Sequence, residues 1–557
     1  MKTINRNDWQ CFFPFNSIRD EQEKAIDFIL NSFLNEKKKF CICDLGTGVG
    51  KSAIAVTVAR YMNDKFSLEP FNDAYTSGSY LLTTQKILQE QYVHDFGSGS
   101  LNVLSSIKSS TNYTCNFYKD QSCSESRMLL KQFPDQLSGT EFYQSCKFNC
   151  VYACDKRAFL ESPIGTTNFS YFLAETKHGF QVKPRRLLVI DECHTVENEI
   201  GKFIEVTFSE KFANDVLKCK LLKLDRNDDA RALQVHSWIE NSYLRALSKY
   251  LSGMSKAIKN FAGTDVTSFS TYSKRYDMLE KHKNKVLDFI KNFDDQNWIL
   301  NVVEPQKFDK RSFRKFEFKP VNVSAFAKDT LYKSGEYILM MSATVIDKKV
   351  FTKSIGIDDK DAAYFYMPSP FPTENRQVHY APVGKMSMKS IDQTLPKLAN
   401  AVKFIIDQHE NEKGIIHTGT FRAAQFLYAN VDSSRFLIHD SYNREKVLKE
   451  HISGKNSTIL LSPSMMEGID LSDDSSRFQI LCKIPFPYLG DKVVKKRMTI
   501  DPQWYQLQTI KSIVQAMGRS VRNSQDYAIS YILDEDWQYF FNRNKHMFPR
   551  DFISCLK

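Results

Sequence analysis

Three short segments hold residue types suited to phosphate chemistry. The first is Asp44-Leu45-Gly46-Thr47-Gly48-Val49-Gly50-Lys51-Ser52. Its glycines let successive backbone N–H groups curl around a phosphate, Lys51 can reach the terminal phosphates, and Ser52 can ligate Mg²⁺. The strict phosphate-loop template has Gly where Leu45 stands. The second segment, Asp191-Glu192-Cys193-His194, ends an apolar run. An acidic pair there suits Asp191 for holding Mg²⁺ and Glu192 for polarising an attacking water. The third runs from Gln515 through Arg519 to Arg522. Arginines three residues apart share one face of a helix, and guanidinium groups stabilise charge on a transferring phosphoryl group. Alone, such a pair is usually a solvated basic face, and an acidic pair at a strand end is common. The phosphate loop upstream gives both a function.

A different chemistry is grouped between Cys115 and Cys154, where five of the twelve cysteines fall: Cys115, Cys123, Cys146, Cys150 and Cys154. In a large intracellular chain such a group points away from disulfides and towards a metal. Four thiolates suit a four-iron cluster, the same thiolates suit Zn²⁺, and unligated core cysteines are the remaining reading. The other seven cysteines are scattered and read as small packing residues.

The elements that must position these segments are short apolar runs ending in Gly, Ser, Thr or Asp: KFCICD, SYLLTT, RRLLVIDE, EYILMMSAT, KGIIHTGT, STILLSPS and YAISYILDED. Continuous rather than alternating apolar character is what a parallel sheet covered on both faces requires. With helical stretches between the runs, the fold class is α/β, as two doubly wound lobes. Residues about 104–160 and about 210–325 break this rhythm and read as insertions into the first lobe, the second one Lys-rich and mainly helical. Aromatic residues in that second insertion either stack on bases or form its core.

At 557 residues the chain exceeds one ordinary domain. Its 42% apolar and 25% charged residues, with 42 Phe and 25 Tyr, fit a globular protein with sizeable cores. The net charge of +11 weakly favours a polyanionic partner. No apolar run approaches the ~18–20 residues that span a bilayer, and the first residues, MKTINRNDWQ, lack the apolar core of a signal peptide, so a cytoplasmic, reducing location without membrane contact is expected.

Taken together, the segments resemble the XPD/DinG family of superfamily 2 iron–sulfur helicases nearly end to end. Ile18-Arg19-Asp20-Glu21-Gln22 resembles that family's adenine-reading segment and Thr83-Thr84-Gln85 its first strand contact, while Asp191 to His194 resembles its DEAH box. Ser342-Ala343-Thr344 resembles its coupling motif and SPFPTENRQV, from Ser369, its SPF stretch. Ile416 to Thr420, Glu467-Gly468-Ile469-Asp470 and the QxxGRxxR segment from Gln515 complete the order. The resemblance implies two RecA-like lobes, with Lys51, Asp191, Glu192, His194, Gln515, Arg519 and Arg522 catalytic. It implies Gln22, Gly46, Thr47, Gly48, Val49, Gly50, Lys51, Ser52, Gly468 and Asp470 as nucleotide contacts, ATP and Mg²⁺ as cofactors, and single-stranded and forked DNA as partners of a monomeric motor moving 5′ to 3′. It further implies a [4Fe-4S] cluster on Cys115, Cys123, Cys146 and Cys150, with Cys154 the alternative to Cys123 and Zn²⁺ the alternative metal. The family's layout divides the chain into 1–104, 161–209 and 326–352 for the first lobe, 105–160 for the cysteine module, 210–325 for an arch-like insertion and 353–557 for the second lobe. Movement along nucleic acid without strand separation, and a metal-stapled binding module without catalysis, are the competing functions.

Overall fold

A computed structural model describes residues 3–557 apart from 68–73, 85, 98–103, 133–136, 180–181, 222–223, 225–227, 262–265, 306–312, 441–442, 464–470, 472, 519, 522 and 524. The first lobe is built on seven parallel strands: β1 (Phe40–Leu45), β2 (Thr76–Thr83), β3 (Leu104–Ser106), β4 (Ile164–Asn168), β5 (Arg185–Asp191), β9 (Gly335–Ser342) and β10 (Ala362–Met367), in the order β10-β1-β9-β5-β2-β4-β3. Every residue of β1 and β5 is buried, as a sheet covered by helices on both faces demands. Successive side chains alternate between two cores. Cys41, Cys43 and Leu45 join one with the helices Asp20–Leu34 and Lys51–Lys65, while Phe40 and Ile42 join the other with Phe172 and Leu331.

Register places the chemistry. Asp44 of β1 lies opposite Ser342 of β9, and Met341 of β9 lies opposite Asp191 of β5. Three neighbouring strands therefore deliver the phosphate loop, the Ser342–Thr344 segment and the acidic pair to one carboxyl edge, where open α/β sheets bind ligands.

The second lobe is a six-stranded parallel sheet. Its strands are β11 (Val378–Gly384), β12 (Gly414–His417), β13 (Phe436–Ile438), β14 (Ile459–Ser462), β15 (Phe478–Leu481) and β16 (Ile529–Asp534), in the order β11-β16-β15-β12-β14-β13. The boundary between lobes differs from the expected 352/353 division. β10 pairs in parallel with β1, Phe40 opposite Ala362, and so belongs to the first sheet. It covers what would otherwise be the open edge of β1.

Two insertions interrupt the first lobe, and the second begins before the expected residue 210, since Val206–Ser209 pairs within its sheet. The cysteine segment connects β3 to its direct neighbour β4. The arch-like insertion has helices Asp228–Trp238, Leu244–Phe261 and Val266–Lys291 packed on an antiparallel sheet of β6 (Val206–Ser209), β8 (Lys315–Pro320) and β7 (Trp298–Val303). Its aromatic residues Phe208, Tyr243, Phe289, Phe316 and Phe318 are buried in a core of their own, so packing rather than base stacking accounts for them. Among the described residues no helix is long and apolar enough to cross a membrane.

Candidate functional site

The phosphate loop leaves β1 with Gly46 N donating to Met367 O at 2.8 Å. Gly48 (φ +92°) and Gly50 (φ +94°) sit in the left-handed region that glycine adopts without penalty. A side chain on Gly46 would collide with the backbone of Ser369, and one on Gly48 with the ring of Phe371. The linker from β10 to β11 thus closes over the loop, and Ser369 Oγ donates to Thr47 O at 2.7 Å. On the outer side, the Arg19 guanidinium donates to Gly48 O at 2.8 Å and to Val49 O at 3.1 Å. Gln22 is 4% exposed, accepts from Arg19 N at 3.1 Å and abuts Gly50. The helix Lys51–Lys65 begins at Lys51, so Lys51 and Ser52 occupy its first turn, where free N–H groups and the positive dipole end favour an anion.

Facing the loop, Asp191 Oδ1 accepts from Glu192 N at 2.9 Å, and Oδ2 accepts from Tyr92 Oη at 3.0 Å. Glu192 has φ +51°, a strained backbone for a residue with a side chain. Its carboxylate lies 3.4 Å from Ser342 Oγ and 3.3 Å from His194 Nδ1. Burial, then the charge of Glu192, pushes Asp191 up to about 6. Burial acts upward on Glu192 as well, but Lys51, His194 and Ser342 outweigh it and hold that carboxyl well below the ordinary range. The pair is thus divided into one easily protonated and one firmly ionised carboxylate.

The second lobe reaches this site through the helix Pro502–Met517. Gln515 Nε2 donates to His194 Nε2 at 2.7 Å and to Thr344 Oγ1 at 3.0 Å, and Lys511 Nζ donates to His194 O at 3.0 Å. His194 Nδ1 in turn lies 2.8 Å from Ser342 Oγ. Further along, Arg497 pairs with Glu197 Oε1 at 2.5 Å, and Trp504 Nε1 donates to Glu197 Oε2 at 2.9 Å. A cleft of about 560 Å³ opens between the lobes, with Lys51, Glu192 and Thr344 on one wall and Gln515 and Gly518 on the other. Arg519, Arg522, Gly468, Asp470 and Gln85 lie outside the described residues.

The cysteines divide four against one. Cys115, Cys123, Cys146 and Cys150 are 3–5% exposed, whereas Cys154 is exposed, its thiol donating to Phe148 O at 3.5 Å. Cys123 opens the helix Cys123–Gln132, and Cys150 caps the helix Val151–Glu161, its sulfur accepting from Ala153 N at 3.3 Å. Helix N-termini favour thiolate. Burial and then the neighbouring thiols push Cys123 and Cys146 up to about 12, with Arg127 pulling the other way. Among the described residues no three His, Cys, Asp or Glu side chains stand close enough to hold a single metal ion.

Two site residues were not picked out from the sequence: Tyr92, an ordinary-looking tyrosine in the helix after β2, and Lys511, whose spacing of four from Gln515 puts both on one helix face. Arg19 stood in a quoted segment without its own role.

Fold and site together define a two-lobed phosphate-loop protein of the helicase class. Residues 16–222 match the family model of the type III restriction enzyme res subunit, and residues 409–552 match that of the helicase C-terminal domain. The chain is 22% identical over 433 residues to the ATP-dependent DNA helicase CHL1 of Debaryomyces hansenii, covering 63% of this chain and 52% of that protein, so it spans about half of that relative's length. It is 20% identical to a Methanocaldococcus jannaschii protein named "Probable ATP-dependent helicase MJ0942", covering 94% of this chain and 93% of that one. Its fold matches an XPD helicase with TM-score 0.63 at 15% identity, over 95% of this chain and 98% of that one. It also matches Xpd4 of S. tokodaii with TM-score 0.57 at 12% identity, over 97% and 99%. The chain therefore has the fold of the XPD helicases, and residues 409–552 match the helicase C-terminal domain.

Proposed function

We propose that this protein is an ATP-dependent DNA helicase that moves 5′ to 3′ along single-stranded DNA and opens forked duplexes. The observation that carries the reading is the reach of Gln515 from the second lobe to His194 and Thr344 of the first, beside the phosphate loop. Through it, anything that closes the cleft also sets the groups around the γ-phosphate. The loop N–H groups and Lys51 hold the phosphates. Glu192, ionised and held by Ser342 and His194, orients the attacking water. Arg519 and Arg522 are the groups assigned to stabilise the charge that develops on the transferring group, and Gly468 and Asp470 are assigned contacts with the nucleotide. The oxygen donors Ser52 and Asp191 suit Mg²⁺, which when bound with the nucleotide neutralises phosphate charge and favours the ionised form of Asp191.

The four buried thiols suit a [4Fe-4S] cluster on Cys115, Cys123, Cys146 and Cys150. Zn²⁺ on the same four thiols is the alternative metal. Held there, the cluster would staple the module on the β3–β4 connection and supply rigidity. Twelve free cysteines accord with an intracellular, reducing location. The test is ATP hydrolysis with and without single-stranded DNA: wild type should be stimulated and Lys51→Ala inactive but folded. Hydrolysis retained by Lys51→Ala would overturn the reading.

A further inference from the structure

The helix Lys86–Phe96, which follows β2, is fastened at both ends of its middle turn. Gln89, fully buried, donates from Nε2 to Ser106 Oγ at 2.6 Å and to Ile107 O at 2.8 Å, anchoring the helix where the chain enters the cysteine module. Three residues on and on the same face, Tyr92 is 2% exposed and donates its hydroxyl to Asp191 Oδ2 at 3.0 Å. We propose that Tyr92 is a positioning residue for the divalent cation that accompanies the nucleotide, acting through Asp191, one of the cation's two protein ligands. The proposal rests on Ser52 and Asp191 being those ligands.

Donor counting gives the mechanism. A phenol has one proton to donate, and Asp191 Oδ2, at 3.0 Å, takes it. Asp191 is fixed on both sides, Oδ1 by Glu192 N and Oδ2 by Tyr92. The Tyr92 hydroxyl therefore aims one oxygen ligand of the cation, and Gln89 keeps that hydroxyl in place.

The test is Mn²⁺ binding in the presence of ADP, read as the loss of the free-ion electron paramagnetic resonance signal, together with thermal unfolding of the metal-free protein. Tyr92→Phe should weaken Mn²⁺ about tenfold, the scale set by hydrogen bonds to metal ligands. It should also raise the Mg²⁺ concentration needed for half-maximal hydrolysis while leaving kcat at saturating Mg²⁺ nearly unchanged. Phe96→Leu, whose ring packs 5.8 Å from that of Tyr92, is the control for a purely structural effect and should lower thermal stability without changing Mn²⁺ affinity. Wild-type affinity in Tyr92→Phe, alongside weakened binding in Ser52→Ala and Asp191→Asn, would overturn the positioning role alone. Undiminished binding in Ser52→Ala and Asp191→Asn would overturn the ligand assignment, and the proposal with it.

Discussion

Replacing Gln515 with alanine cuts the only described hydrogen bonds from the Gln515 side chain across the cleft, at 2.7 Å to His194 and 3.0 Å to Thr344. Each is a neutral hydrogen bond worth about 1 kcal/mol net, so closure of the lobes should lose about 2 kcal/mol, or about thirtyfold in the equilibrium. The groups placed to bind phosphate, Lys51, Ser52 and the loop N–H groups, all belong to the first lobe. Gln515→Ala should therefore bind a fluorescent ADP analogue nearly as wild type does, while DNA-stimulated kcat falls about thirtyfold. Equilibrium titration and steady-state hydrolysis, run side by side, separate the two effects. An unchanged kcat, or an ADP affinity that falls in step with kcat, would refute closure through Gln515.

Iron content should be lost in Cys150→Ser and Cys123→Ser and kept in Cys154→Ser; the opposite result for Cys123 and Cys154 would move a ligand to the exposed thiol. Glu197→Ala strands Arg497, whose side chain is only 8% exposed, and should cost about 3–5 kcal/mol, whereas adding Arg497→Met should recover most of it. A double variant less stable than Glu197→Ala would show that the pair does not carry that charge. Burial raises Asp44 to about 6, against donors at Val345 N, Ile346 N and the Tyr364 hydroxyl. Its folded-state pKa lies above its unfolded value of 3.8, so its contribution to stability is present below that value and lost as pH rises through about 6. Relative to Asp44→Asn, wild type should lose thermal stability between pH 4 and pH 6; a gain over that window would contradict burial as the dominant cause.

Most of the fold could be read from the chain because parallel strands covered on both faces leave continuous apolar runs, and all seven runs quoted at the outset lie in sheet strands. Among the strands that escaped, three show why. β10 reads AAYFYM and packs at the sheet's edge, half-exposed, so it lacks the apolar continuity of β1. β7 and β8 alternate buried and half-exposed residues in an antiparallel sheet, a period of two that the surrounding lysines obscured. The phosphate loop was legible because glycine spacing is itself the chemistry. Tyr92 was not, since its role depends on β2 and β5 lying side by side, a contact between residues far apart in the chain. The four-to-one division of the cysteines likewise depends on which thiols the helices turn inward, which spacing alone leaves open.

The most direct measurement of the central claim is ATP-dependent strand displacement from duplexes carrying a 5′ or a 3′ single-stranded tail, using anaerobically purified protein with Lys51→Ala as the blank. Displacement from the 5′-tailed duplex alone, absent in the blank, is the expected result. If neither duplex opens while single-stranded DNA still stimulates hydrolysis, the protein moves along DNA without separating strands, and the helicase assignment is wrong.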